Sequence, residues 1–234
     1  MVSNEDEAVK QLGENYAHKL SVKPYHTPEY RVVDEGTILT HQSKEYALHI
    51  FGAHNLQNLM GAMLLGESMH ISNHDFLTAI QSFKGAGKRL QKVIETKNFV
   101  LFKDFAHSPS KLKATTRAVK EQFPNRTVIA CMELHTFSSL RKDFLPLYQS
   151  TMDAADEALV YFSPEVVKHK KLDPITTNQV KDAFGGNVTV VNETKDVLKF
   201  IRSKEWNNAV LLMMSSGNFD GIDYDKLGKE IVGE

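Results

Sequence analysis

From residue 98 to the end of the chain, short apolar runs alternate with stretches whose apolar residues recur at helical spacing. NFVLFKD (98–104), TVIACM (127–132), EALVYF (157–162), NVTVV (187–191) and NAVLLMM (208–214) have the length and β-branched, aromatic character of buried strands. Between them the pattern predicts helices over 110–123, near 141–153, near 176–184 and over 194–203, the last with Val197, Leu198 and Ile201 on one face. A final helix is expected from about Tyr224. Strands separated by helices require crossover connections, so this half is expected to be a doubly wound α/β domain, Rossmann-like, with a mainly parallel sheet covered on both faces.

The first half follows another pattern. YRVVDEGTILTHQSKEYALHI (30–50) reads as β structure with turns at Glu35-Gly36 and Ser43-Lys44. FGAHNLQNLMGAMLLGESM (51–69) places apolar residues at 56, 59, 60, 63 and 64, one stripe of an amphipathic helix. A second helix, around 75–83, is expected to bury Phe76, Ile80 and Phe83. These elements make a small core for ninety residues. The expected division is therefore a partial α/β unit over 1–92 followed by a complete domain over 93–234.

Composition changes this picture only by exclusion. The net charge of −1 supplies no electrostatic reason for a nucleic-acid partner or an anionic membrane surface. No apolar run approaches the ~20 residues that span a bilayer, and the acidic, polar start MVSNEDEAVKQLGENY is not a signal peptide. The single cysteine, Cys131, sits inside the apolar run TVIACM and reads as a buried structural thiol. A cytoplasmic protein is expected.

Candidate chemistry lies in four stretches. Gly85-Ala86-Gly87-Lys88 in FKGAGKRLQKV looks like the end of a phosphate-binding GxxxxGK[ST] loop. Such a loop needs a strand before it, a helix after it, and a Ser or Thr after the lysine to hold Mg²⁺. Here a helix precedes, a strand-like segment follows, and Lys88 is succeeded by Arg89, so the match fails. Gly85 or Gly87 as a left-handed helix C-cap is the plainer reading. GAHNLQN (52–58) brings Asn55 and Asn58 to one helix face, where they can cap the helix or meet a purine edge. KDFAHSPSKL (103–112) carries Asp104 and His107 from a strand end into a helix start, where open α/β sheets gather ligands. LLMMSSGNFDGI (211–222) repeats that strand-to-loop arrangement with Ser215, Ser216, Gly217 and Asn218, which can make turn bonds or hold a substrate.

In this order and spacing, the stretches resemble the Mur ligase family of ATP-dependent amide-bond-forming ligases. GAHNLQN is similar to that family's G-x-HN-x-x-N, FKGAGKRLQ to F-x-G-x-x-RR-x-(E/Q), and KDFAHSPS to D-D-(Y/F)-(A/G)-H-x-P. MSSGNFDGI resembles the M-S-(N/S)-G-x-F-x-G-I of members that join the peptide L-Ala-γ-D-Glu-meso-diaminopimelate to UDP-N-acetylmuramate in cell-wall recycling. The similarity covers roughly residues 30–234.

The resemblance implies that ATP with Mg²⁺ converts a carboxylate to an acyl phosphate, which the incoming amine attacks. It assigns Asn55, Asn58, Arg89 and Asp104 to the nucleotide, and Arg89 with His107 to the reacting centre. It assigns His107, His135, Ser138, Arg141, Ser215, Ser216, Gly217 and Asn218 to the incoming peptide. In ELHTFSSL (133–140), Leu134 and Thr136 replace the proline and arginine of many relatives, so His135 or Arg141 would have to take over the carboxylate clamp. Phe105 replaces a tyrosine. No GxxxxGK[ST] loop or metal carboxylate of the family is matched within the 234 residues. The expectation is thus the C-terminal part of a longer ligase, inactive alone. A ligase adding L-alanine, a folylpolyglutamate-type enzyme, and a non-catalytic binding protein derived from such a ligase are the alternatives.

Overall fold

The computed structural model describes residues 2–34 and 36–234, so Glu35 of the expected Glu35-Gly36 turn lies outside it. The chain forms two compact units, up to Gly85 and from Ala86 onward.

In the first unit, β1 (Val2–Ser3) and β2 (Pro24–Tyr25) form a short parallel pair around α1 (Glu7–Tyr16). These three elements were not foreseen. Strands β3 (Tyr30–Val33), β4 (Gly36–His41) and β5 (Lys44–Leu48) make an antiparallel sheet. On it pack α2 (Ala53–Ser68) and α3 (Asn73–Ile80), burying Leu39, Tyr46, Leu48, Leu56, Leu59, Met63 and Leu77. Burying each such side chain stabilises by about 1.5–3 kcal/mol. The amphipathic helix expected over 51–69 is thus present. The expected burial of Phe83 is not: α3 stops at Gln81, its fully buried residue is Leu77, and Phe83 is exposed. Ser72 starts α3 by accepting the Asp75 N–H at 3.1 Å.

The second unit holds β6 (Gln91–Glu95), β7 (Phe99–Asp104), α4 (Pro109–Gln122), β8 (Thr127–Leu134), β9 (Glu157–Phe162), α5 (Pro164–His169), α6 (Thr177–Ala183), β10 (Thr189–Val191), α7 (Thr194–Arg202), β11 (Ala209–Met214) and α8 (Tyr224–Val232). Its sheet runs β10-β9-β8-β11-β7-β6, parallel except for β6, which pairs antiparallel with β7. The mixed α/β architecture matches the expected mainly parallel, helix-covered sheet. β6 belongs to this second unit through its pairing with β7.

Every residue of β11 is buried, as a central strand covered on both faces requires. Odd-numbered Ile129, Cys131, Leu211 and Met213 share a core with Val197, Ile201 and Leu227 of the following helices. Gly228 lets α8 approach β6: a Cβ there would fall 2.8 Å from Ile94 Cγ2. Cys131 is buried, and burial pushes its thiol up to about 12.

One expected helix is corrected. Residues 141–153 contain only a 3₁₀ turn, Leu145–Tyr148, because the backbone turns extended at Gln149 (ψ 129°). The apolar positions there are still buried, Leu145, Tyr148 and Met152 alike, with the Tyr148 ring stacked on Phe184 at 5.0 Å and 12°. Helix α5, started by the Ser163 hydroxyl accepting from Val166 N–H, was not foreseen. Among the described residues no helix is long and apolar enough to cross a membrane.

Candidate functional site

Strands β7, β8, β9 and β11 run parallel, so the loops leaving their carboxyl ends share one edge of the sheet. That edge of an open α/β sheet is where ligands bind. Asp104 ends β7 and is 6% exposed. Its Oδ2 accepts the Leu90 N–H and its Oδ1 the Ala106 N–H, both at 2.6 Å. The Phe105 N–H donates to the Lys88 carbonyl at 2.9 Å, so the segment 88–90 is fastened to the strand end through its backbone. Arg89, exposed, lies 5.6 Å from the centre of the Phe105 ring. Asp104 therefore places Arg89 without touching its guanidinium.

The expected helix cap at Gly85 or Gly87 is not what ends α3, which stops at Gln81 in right-handed conformation. Gly85 takes a positive φ of 98° within the following turn, as Lys88 does at 58°. No helix follows GAGK, in agreement with the rejection of a phosphate-binding loop.

His107, half-buried, donates from Nδ1 to the Phe105 carbonyl at 2.8 Å, which leaves Nε2 as its free ring nitrogen. Its carbonyl accepts from the Tyr148 hydroxyl at 2.5 Å. Burial pushes the Tyr148 hydroxyl far up, so it acts as a fixed donor. The 145–148 turn thereby steadies the loop that carries His107.

The loop after β11 is built around a residue absent from the sequence-based site. Glu133, 3% exposed, is in phase with Ile129 and Cys131 on β8. Its Oε2 accepts the Ser215 hydroxyl and, at 2.8 Å, the Phe219 N–H. Its Oε1 lies 3.2 Å from His135 Nδ1. Ser215 Oγ accepts the Gly217 N–H at 2.6 Å, and the Ser215 N–H donates to the Asp104 carbonyl at 3.0 Å. Among the described residues no lysine or arginine pairs with Glu133. Burial first, and secondarily the Glu133 charge, pushes the Tyr224 hydroxyl up. The available signal was a charged residue in phase with the apolar positions of an otherwise apolar strand.

Ser215, Ser216, Gly217 and Asn218 thus gather with Glu133 and His135 at the ends of β8 and β11. The Ser216 hydroxyl oxygen is buried without a partner. Asn218 Oδ1 accepts the Gly221 N–H at 3.1 Å. Ser138 is exposed and lies 3.3 Å from the Thr136 hydroxyl. Arg141 is exposed and held by Asp143, with Nε–Oδ1 at 3.0 Å and Nη2–Oδ2 at 2.5 Å. That hydrogen bond and charge raise the Arg141 pKa further and lower that of Asp143. The guanidinium is therefore committed locally.

Asn55 and Asn58 belong to the first unit. Gly52, with φ 86°, is the N-cap of α2; Asn55 Nδ2 instead donates to the Phe51 carbonyl at 2.9 Å. Capping by the Asn55 side chain is thereby corrected. Its Oδ1 and the exposed Asn58 carboxamide are the groups left for a purine edge. Among the described residues, no cluster of three or more His, Cys, Asp or Glu side chains could hold a metal ion.

No protein-family model matches the chain. Over 194 residues it is 28% identical to a UDP-N-acetylmuramate–L-alanine ligase of Christiangramia forsetii, covering 82% of this chain and 41% of that protein. In fold it is similar to MurF from Acinetobacter baumannii (TM-score 0.71, 14% identity, 99% of this chain and 51% of that one). It is also similar to a murein peptide ligase from Psychrobacter arcticus (TM-score 0.56, 17% identity, 97% and 49%). The sequence and fold similarities together support the Mur ligase family. The chain spans about four-tenths of the length of the curated relatives it matches.

Proposed function

We propose that this chain supplies the incoming-peptide side of a Mur-type ligase that joins L-Ala-γ-D-Glu-meso-diaminopimelate to UDP-N-acetylmuramate. The observation that carries the reading is the MSSGNFDGI loop, held against Glu133 at the same sheet edge as His107. A peptide offers several acceptor oxygens, and this loop offers hydroxyls and amides rather than a free guanidinium. Nucleotide with Mg²⁺ would supply, in the whole ligase, the phosphoryl group that turns a substrate carboxylate into the acyl phosphate. Asn55, Asn58, Arg89 and Asp104 are the groups of this chain assigned to the nucleotide side, Asp104 by holding the Arg89 segment. His107 Nε2 is assigned to the amine, where a neutral imidazole can take the proton released as the amide bond forms.

On this reading the 234 residues bind peptide but neither hydrolyse ATP nor form amide bonds alone, because the sequence holds no GxxxxGK[ST] loop. A second reading, ligation of L-alanine, has the name of the Christiangramia relative in its favour. Calorimetric titration separates them. L-Ala-γ-D-Glu-meso-diaminopimelate is expected to bind with L-alanine giving no heat. Binding of L-alanine without the peptide overturns the proposal in favour of the second reading.

A further inference from the structure

Glu133 stands where an apolar side chain would stabilise the sheet more simply. A buried carboxylate loses its hydration, and only well-placed donors offset that loss. Its donors are the Ser215 hydroxyl, the Phe219 N–H and His135 Nδ1, two of the three from one short loop. One oxygen, Oε2, takes both loop donors, so a single atom fixes the two ends of the 215–219 arc. The Gly217 N–H, bonded to Ser215 Oγ, closes the middle.

The arc has to be held. Phe219 and Asp220 both occupy the left-handed region, with φ 53° and 58°. Residues with a Cβ adopt that region only when their surroundings enforce it. The fit is also close: a Cβ on Gly217 would lie 2.9 Å from Glu133 Oε2 and 3.2 Å from His135 Nδ1. Once the arc is formed, its remaining polar groups are the buried Ser216 hydroxyl and the Asn218 amide nitrogen.

We propose that Glu133 is a positioning residue: its carboxylate sets the 215–219 arc so that the exposed Asn218 side-chain amide donates to an acceptor oxygen of the incoming peptide. The assignment of the ligand rests on the function proposed above. Glu133 acts through the loop and does not touch the substrate.

The test uses the 234-residue chain with Glu133→Gln, Gly217→Ala, Glu133→Ala and the double variant. Hydrogen exchange of the loop amides is read beside calorimetric binding of L-Ala-γ-D-Glu-meso-diaminopimelate. Glu133→Gln is expected to speed exchange at Gly217 and Phe219 about tenfold and to weaken the peptide by a similar factor. Exchange in β7, β8 and β11 should stay unchanged. Gly217→Ala should disturb the loop in the parent, yet add less than about twofold in the Glu133→Ala background, where the opposing carboxylate is gone. Unchanged loop exchange in Glu133→Gln overturns the proposal, as do a loosened loop with full peptide affinity and additive effects of the pair. If Glu133→Ala fails to fold, Glu133→Gln alone, read by loop exchange and peptide binding, decides the proposal. A parent chain that binds no peptide overturns the functional reading and the ligand assignment with it, while loop exchange still decides whether Glu133 holds the arc.

Discussion

The two units of the chain solve the same problem to different degrees. From Ala86 onward, a six-stranded sheet is covered on both faces, and the only large apolar side chains left exposed among its described residues are Phe137 and Leu147. Among its described residues the first unit, with fewer residues, exposes eight: Val9, Leu12, Tyr16, Leu20, Leu65, Met69, Ile71 and Phe83. Val9, Leu12 and Tyr16 lie along one stripe of α1, the pattern of a helix face with something to cover. The difference teaches where independent stability resides. A parallel sheet with helices on both faces buries its central strands, whereas a three-stranded antiparallel sheet with two helices leaves more apolar surface exposed.

This contrast can be broken experimentally, most decisively by limited proteolysis. The first cuts are expected within the first 85 residues, leaving a resistant core that begins near Ala86. A pattern in which residues 1–95 are the last to be cut would reverse the ranking of the two units. Substitution gives the next largest effect. Leu211, fully buried in the centre of β11, should cost about 2–5 kcal/mol when replaced by alanine, measured by denaturant unfolding. Leu12, 57% exposed, should cost less than about 0.5 kcal/mol on the same replacement. Equal costs would mean that the α1 stripe is covered in solution.

The smallest expected effect concerns acid, and sharpens the contrast by marking the second unit alone. Partial burial opposes ionisation of Asp156, but its bonds to Lys120 and the Val128 N–H outweigh that and lower its pKa below the ordinary 3.8. A depressed carboxylate pKa contributes stability that is present above pH 3.8 and lost as pH falls through the lower, folded-state value. Because the Asp156 side chain is 41% exposed, solvent screening holds the contribution under about 1 kcal/mol. Asp156→Asn should thus lower stability slightly at neutral pH and flatten the acid limb of a pH–stability curve for the second unit. An unchanged acid limb would assign that loss to other carboxylates.

The sequence was most readable where one local signal decided the outcome. Of the five strands after residue 98, four are apolar enough to be buried on both faces, and all five lie within a few residues of their expected positions. The same reasoning failed at 141–153, where Leu145, Tyr148 and Met152 are buried from a 3₁₀ turn and its flanks rather than from a helix. It also missed α1, whose few large apolar residues, Val9, Leu12 and Tyr16, are outnumbered by polar and charged ones.

For the site, the division is between which residues and which contacts. The chain's own order placed Asp104, His107 and Ser215–Asn218 at strand ends, because strand-to-helix connections put their loops on one edge. Tertiary structure alone decided that Asp104 grips the Leu90 amide rather than a guanidinium. It alone made Glu133 the centre of the loop, 82 residues from Ser215 along the chain. The physical reason is that burial and hydrogen-bond partners across strands β8 and β11 depend on register, which no local pattern of residues records.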